Sequence, residues 1–172
     1  MGDRTVMPLT RPNLKFAAAG SVIQTVSVNW NNTIDITGTT VTATGLKASI
    51  TPLYNNSKIE IHIQAHINNR RESGSGAIGQ KLELQKKVGS GSYAYLHQFA
   101  QAGVDYQIYH NIPDSTGDKD IWHPWTVFYT DTPGTTSTLE FQLYGCERPA
   151  NAAATTRLRV RGGNMILKEI KV

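Results

Sequence analysis

The sequence predicts an all-β fold, an antiparallel β-sandwich, on three observations. The first is alternation. From Lys58 to Ile67, the residues Ile59, Ile61, Ile63, Ala65 and Ile67 fall on one face of an extended chain, and Lys58, Glu60, His62, Gln64 and His66 fall on the other. A period of two held over about ten residues marks a half-buried strand. The second is spacing: about nine or ten such stretches follow one another between polar turns, and none reads as a helix. The third is composition. Hydrophobic residues are 39% and charged residues 17% of 172, with 15 Gly. Both fractions fall below the usual values of about 45–50% and 25%, and Thr, Ser, Asn and Gln make up the difference. Such a mixture suits strands with wet outer faces, in a sandwich, a barrel or a jelly roll, and not a parallel α/β sheet. No fixed-period repeat is present, which argues against a propeller or β-helix.

Residues 1–20 read as an extended N-terminal arm, because Pro8, Pro12 and Ala17-Ala18-Ala19-Gly20 break any periodicity. Arg4, Leu9, Arg11, Leu14 and Phe16 are its candidate docking residues. Residues 21–172 read as the sandwich domain. Val26, Val28 and Trp30 alternate with polar residues, Asn31-Asn32 is predicted to turn the chain, and Ile34 and Ile36 follow. Leu46, Ala48 and Ile50 form the next alternation. After the Lys58–Ile67 strand, Asn68 to Gly76 is predicted as a polar loop. Leu82 to Lys87, the turn Gly89-Ser90-Gly91-Ser92 and Tyr93–Phe99 read as a hairpin. Tyr106, Ile108 and Tyr109 lie in a short strand, and Pro113–Asp120 reads as a loop. Trp122–Thr130 carries Pro124, which places it at a sheet edge or at a bulge. Leu139, Phe141 and Leu143 alternate, as do Leu158 and Val160. Gly162-Gly163 leads into the last strand, Met165–Val172.

Several functions are argued against. A single cysteine, Cys146, allows no internal disulfide and no cysteine-based zinc site, and it reads as a small buried hydrophobe. No apolar run approaches the roughly 20 residues of a membrane span, and the start lacks the apolar stretch of a signal peptide. The charge of +4 comes from scattered residues with no stripe of the kind a nucleic-acid reader uses, so no nucleic-acid partner is expected. Gly74-Ser75-Gly76-Ala77-Ile78-Gly79 matches a dinucleotide fingerprint by letters only, because a strand follows it where a helix is needed. His62 and His66 share a strand face at roughly 13 Å, too far apart for one metal ion; they read as exposed polar residues or as part of a pH-sensitive subunit contact. Asp114, Asp118 and Asp120 lie in one loop with a spacing unlike a calcium-binding loop, and read as solvated. No nucleophile elbow and no carboxylate pair can be nominated. No enzyme, cofactor or metal is expected.

Two features remain as candidate contact sites. Trp122, His123 and Trp125 surround Pro124, where exposed indoles would stack on sugars or anchor an interface and buried ones would be core. Arg157, Arg159 and Arg161 share one strand face, suited to an acidic partner or a phosphate-bearing glycan, or else paired with nearby carboxylates.

Five segments carry a resemblance: Ser21–Val26, Thr44–Pro52, Tyr54–Ile61, Thr132–Thr136 and Met165–Ile170. In this order they resemble the tail-fibre-like and head-surface proteins of tailed bacteriophages, common in phages of cyanobacteria and marine bacteria. The resemblance spans roughly residues 20–172. It implies a jelly-roll β-sandwich that assembles as a homotrimer on the virion surface, with specificity in its loops and no catalytic residues. Long fibres of this kind carry a repetitive shaft before the domain, whereas about twenty residues precede it here. The resemblance therefore implies a capsid decoration protein or short head fibre docked by its arm to the major capsid protein or another virion component. The alternative is a fibre tip that attaches to host-surface glycans. Rival classes are a carbohydrate-binding module and a small lyase-like sandwich enzyme.

Overall fold

The computed structural model describes residues 17–73, 76–99, 108–112, 118–147 and 155–172. The predicted docking residues Arg4, Leu9, Arg11, Leu14 and Phe16, and Asp114, lie outside these. Among these residues nine strands are formed: β1 (Val22–Ile36), β2 (Thr42–Ile50), β3 (Lys58–Ser73), β4 (Gly76–Val88), β5 (Ala94–Gln98), β6 (Ile108–Ile112), β7 (Lys119–Asp131), β8 (Leu139–Glu147) and β9 (Thr155–Ile170). They make two antiparallel sheets, β1-β9-β3-β7 and β2-β8-β4-β5, with β6 added to β4.

The pairing is nested. β1 lies on β9, β2 on β8, β3 on β7 and β4 on β5. A chain folded at its middle and wrapped as a double ribbon pairs its strands in this outside-in order, and the result is the wiring of a jelly roll. The predicted hairpin is the fold point of that ribbon. Gly89 takes φ 56° there, in the left-handed region that glycine enters freely.

The core follows the predicted alternation. Ile59, Ile61, Ile63, Ala65 and Ile67 of β3 face Leu46, Ala48 and Ile50 of β2, Leu82 and Leu84 of β4, and Leu139, Phe141 and Leu143 of β8, all buried. Leu158, Val160, Met165 and Leu167 of β9 complete it. Each such side chain stabilises the fold by about 1.5–3 kcal/mol relative to exposure. Two glycines let the layers approach. A Cβ on Gly145 would lie 2.6 Å from Leu158 Cδ2, and one on Gly163 would lie 2.8 Å from the carbonyl oxygen of Gln64.

The structure corrects the sequence reading at three places. Asn31-Asn32 does not turn the chain: β1 runs through it, and the register shift between Trp30 and Thr33 makes the pair a bulge. Arg161-Gly162 forms a matching bulge in β9 opposite β3, with Gly162 at φ 66°, so the last two predicted strands are one. Bulges add local bend and twist, and these two sit at one level of the sheet. Asn68 to Ser73 is not a loop but the continuation of β3, and Gly76 to Gly79 begins β4. Polar residues hid this continuation, and Asn68, Asn69 and Arg71 are all as buried as Ile67. Pro124 does mark an edge strand, but without a bulge, since β7 pairs β3 in continuous register from Asp131 to Lys119.

Residues 17–21 are tied to the end of β9. Gly20 N–H donates to the carbonyl of Lys171 at 2.7 Å, Lys171 N–H donates to that of Ser21 at 3.0 Å, and Lys171 Nζ donates to the carbonyl of Ala17 at 2.8 Å. Residues 17–20, assigned to the arm from sequence, therefore belong with the end of β9.

Candidate functional site

The register arranges the outer face of the four-stranded sheet into rows. One row runs Asp35, Arg159, Asn68, Trp122 across β1, β9, β3 and β7. Further along, the rows run Asn29, Asn164, Gln64, Thr126 and then Ser27, Ile166, His62, Phe128. This face carries both candidate features predicted from sequence, and it treats them differently.

The arginine feature is internally satisfied. Arg159 grips Asp35 through both carboxylate oxygens, at 2.6 and 2.9 Å, and Arg157 adds a contact at 2.9 Å. Planar guanidinium and carboxylate groups pair in this forked geometry. Arg159, with Arg157 beside it, holds the Asp35 carboxyl below its ordinary range. Arg157 also meets Glu72. Arg70 meets Asp118 at 2.8 Å and lies near Glu72 and Asp120. Thus Asp118 and Asp120 face an arginine. Arg161 stands apart at the bulge and is exposed.

The aromatic feature is split. Trp122 and Trp125 are three residues apart on a strand, so they point to opposite faces. Trp122 is 44% exposed on the outer face. Trp125 turns inward and packs edge-on against Phe99 at 5.3 Å. His123 also turns inward, and burial lowers its pKa. The three predicted residues therefore do not form one patch. On the outer face the partner of Trp122 along β7 is Phe128, 68% exposed, whose ring meets His62 at 4.6 Å. His66 lies opposite Pro124, two positions further along β3 on each side of Gln64.

Two arrangements were not anticipated. On the outer face of the other sheet, Glu140 accepts hydrogen bonds or ion pairs from Lys87, Tyr93, Lys47 and Ser49. Lys87, then Tyr93 and Lys47, draw the Glu140 pKa down to about 2. Burial, and then the bond to Glu140, push the Tyr93 hydroxyl up. Between the sheets, Asn69, Gln80, Glu147 and Thr156 are buried polar residues beside a crevice too tight for a water molecule. Glu147 Oε2 takes the N–H of Gly38 at 2.9 Å, Oε1 has no partner, and burial raises the pKa. Only the parity of β3, β4 and β8 could have flagged these positions as inward. Among the described residues no group of three or more His, Cys, Asp or Glu is placed to hold a metal ion. Among the described residues no helix is long and apolar enough to cross a membrane.

No family model matches the sequence, and no curated protein matches it. Among solved structures, the chain overlaps loosely with a particle of the infectious bursal disease virus Gt strain, at 12% identity and a TM-score of 0.35, over 96% of this chain and 43% of that one. It overlaps similarly with the VP2 subviral particle of that virus, at 11% identity and a TM-score of 0.36, over 97% and 42%. The chain spans less than half the length of those proteins.

Proposed function

We propose that this protein is a non-enzymatic structural component on the virion surface of a tailed bacteriophage. In this reading it is a homotrimeric decoration protein or short head fibre, docked through its N-terminal arm to the major capsid protein or another virion component. The observation that carries the reading is the tether at the foot of the arm. Lys171 holds Ala17, Gly20 and Ser21 against the end of β9, and β1 then runs along β9 as far as Leu158. A pull on the arm would thus pass into a long antiparallel pair within a rigid sandwich, which is what a docked brick requires. The sequence resemblance supplies the phage setting and the three-fold assembly.

Light scattering tests the assembly. The expected mass is three times the 18.9 kDa of one chain. Removal of residues 1–16 should leave that mass intact and abolish binding to particles that lack the protein. A truncated chain that binds such particles as well as the whole chain would overturn the docking role.

Host attachment is the second reading, favoured by the exposure of Trp122 on the outer face. An exposed indole suits a sugar face. It predicts glycan binding that Trp122→Ala removes and Trp125→Phe does not.

A further inference from the structure

We infer that the side of the sandwich formed by β5 and β7 is the seam at which copies of this chain meet; the inference rests on the assembled state proposed above.

The first observation is a long edge strand with an uncharged middle. β7 is 13 residues long and pairs β3 in unbroken register, and no described strand pairs its other edge. Such an edge presents a row of backbone donors and acceptors. Proteins that remain single blunt it with charges, proline, bulges or short length. β1, the opposite edge of the same sheet, is bulged and carries Asp35. β2 carries Lys47, and β5 has only five residues. β7 carries Lys119, Asp120 and Asp131 only at its ends, with Pro124 between them.

The second observation is where exposed aromatic surface gathers. Phe128 is 68% exposed and Trp122 44%, both on the outer face of β7, and Tyr95 on β5 is 60% exposed. On the inward face of β7, His97 stacks on Tyr129 at 4.7 Å and Phe99 meets Trp125, so rings tie the two edge strands together. Large exposed rings are the residues from which interface anchors are built.

The third observation selects the occupant. Residues 89–99 and 121–130 contain no Lys, Arg, Asp or Glu, in a chain that is 17% charged. Around a symmetry axis each residue lies near its own copies, so a charged patch would meet like charge. An acidic or basic partner would instead be met by opposite charge. A neutral aromatic strip bounded by Asp120 and Asp131 therefore suits a second copy of the same chain.

The test compares the whole chain with Phe128→Lys, Thr126→Lys and Ser27→Lys by light scattering across a dilution series, with circular dichroism and thermal unfolding to check folding. Phe128, Thr126 and Ser27 are all exposed outer-face positions, so the variants should fold, and Ser27 on β1 is the control at the far edge. The expected result is that Phe128→Lys and Thr126→Lys weaken association roughly tenfold or more, while Ser27→Lys assembles like the parent. Folded Phe128→Lys and Thr126→Lys proteins that assemble like the parent would overturn the seam and leave the assembled reading standing. A parent chain that is monomeric at every concentration would overturn both. Glycan binding by the assembled parent that Trp122→Ala abolishes would also overturn the seam, because Trp122 would then be open to solvent.

Discussion

The Ser57 hydroxyl donates to Oε1 of Glu169 at 2.7 Å, joining the connection between β2 and β3 to the last strand of the chain. The same oxygen accepts the backbone N–H groups of Leu53 and Tyr54 at 2.8 and 3.2 Å, and Glu169 is fully buried. One carboxylate thus satisfies three donors in a turn that has no ladder of its own. Glu169→Ala leaves those donors without their acceptor and should cost about 3 kcal/mol or more. Glu169→Gln keeps one acceptor oxygen and should cost less. Urea unfolding of both variants checks the order; equal stability of the alanine variant and the parent would show that the turn does not need this anchor.

Gly163 is a contact position between strands and layers. A Cβ there would press on the Gln64 carbonyl at 2.8 Å and on Leu46 Cδ2 at 2.9 Å. The backbone oxygen is held in the sheet, so relief must come from strand displacement. Gly163→Ala should destabilise by about 1–3 kcal/mol, the usual range for overpacking. Gly134 has φ 67° and nothing within 4 Å of its would-be Cβ. Gly134→Ala meets only backbone strain and should cost about 1–2 kcal/mol. Thermal unfolding should rank Gly163→Ala at or below Gly134→Ala.

The two indoles of β7 should separate in stability measurements. Trp125 packs on Phe99 and against the core, whereas Trp122 stands in solvent at 44% exposure. Trp125→Ala should cost about 2–4 kcal/mol, near the range for large-to-small core changes. Trp122→Ala should change monomer stability by less than about 1 kcal/mol. Similar losses for both would show that the strand does not alternate as described.

Two carboxyls, Glu140 on an outer face and Glu147 between the sheets, make opposite demands on pH. Lys87, Tyr93 and Lys47 hold Glu140 at about 2, below its ordinary 4.5. Its contribution is therefore present above pH 4.5 and is lost as pH falls towards 2. Glu140→Gln should flatten the stability profile across that window. Burial raises Glu147 above its ordinary value, so its charged form opposes folding at neutral pH and the opposition fades as pH falls through the raised pKa. Glu147→Gln keeps an acceptor for Gly38 and removes the buried charge. It should raise stability by about 1 kcal/mol at pH 7, with the gain shrinking in acid. Denaturant melts from pH 2 to pH 8 check both; a Glu147→Gln protein less stable than the parent at pH 7 would show that the charge is compensated.

A strand's side chains alternate whatever it pairs with, so the sequence by itself determined the all-β class, the hairpin at Gly89 and the inward row Ile59 to Ile67, while strand pairing decided that Pro124 marks an edge and not a bulge. The same parity separates Trp122 from Trp125, though their closeness in sequence suggested a shared patch. Hydrophobicity failed where polar residues continue the inward row, at Asn69 and Arg71, because burial there depends on facing strands far away in the chain. Only the tertiary structure decided that Asp35 would claim Arg157 and Arg159, that Glu169 would hold the turn at Ser57, and that β5 and β7 would bring their rings to one side. Nested pairing brings together residues more than a hundred positions apart, and no local pattern along the chain encodes which of them will meet.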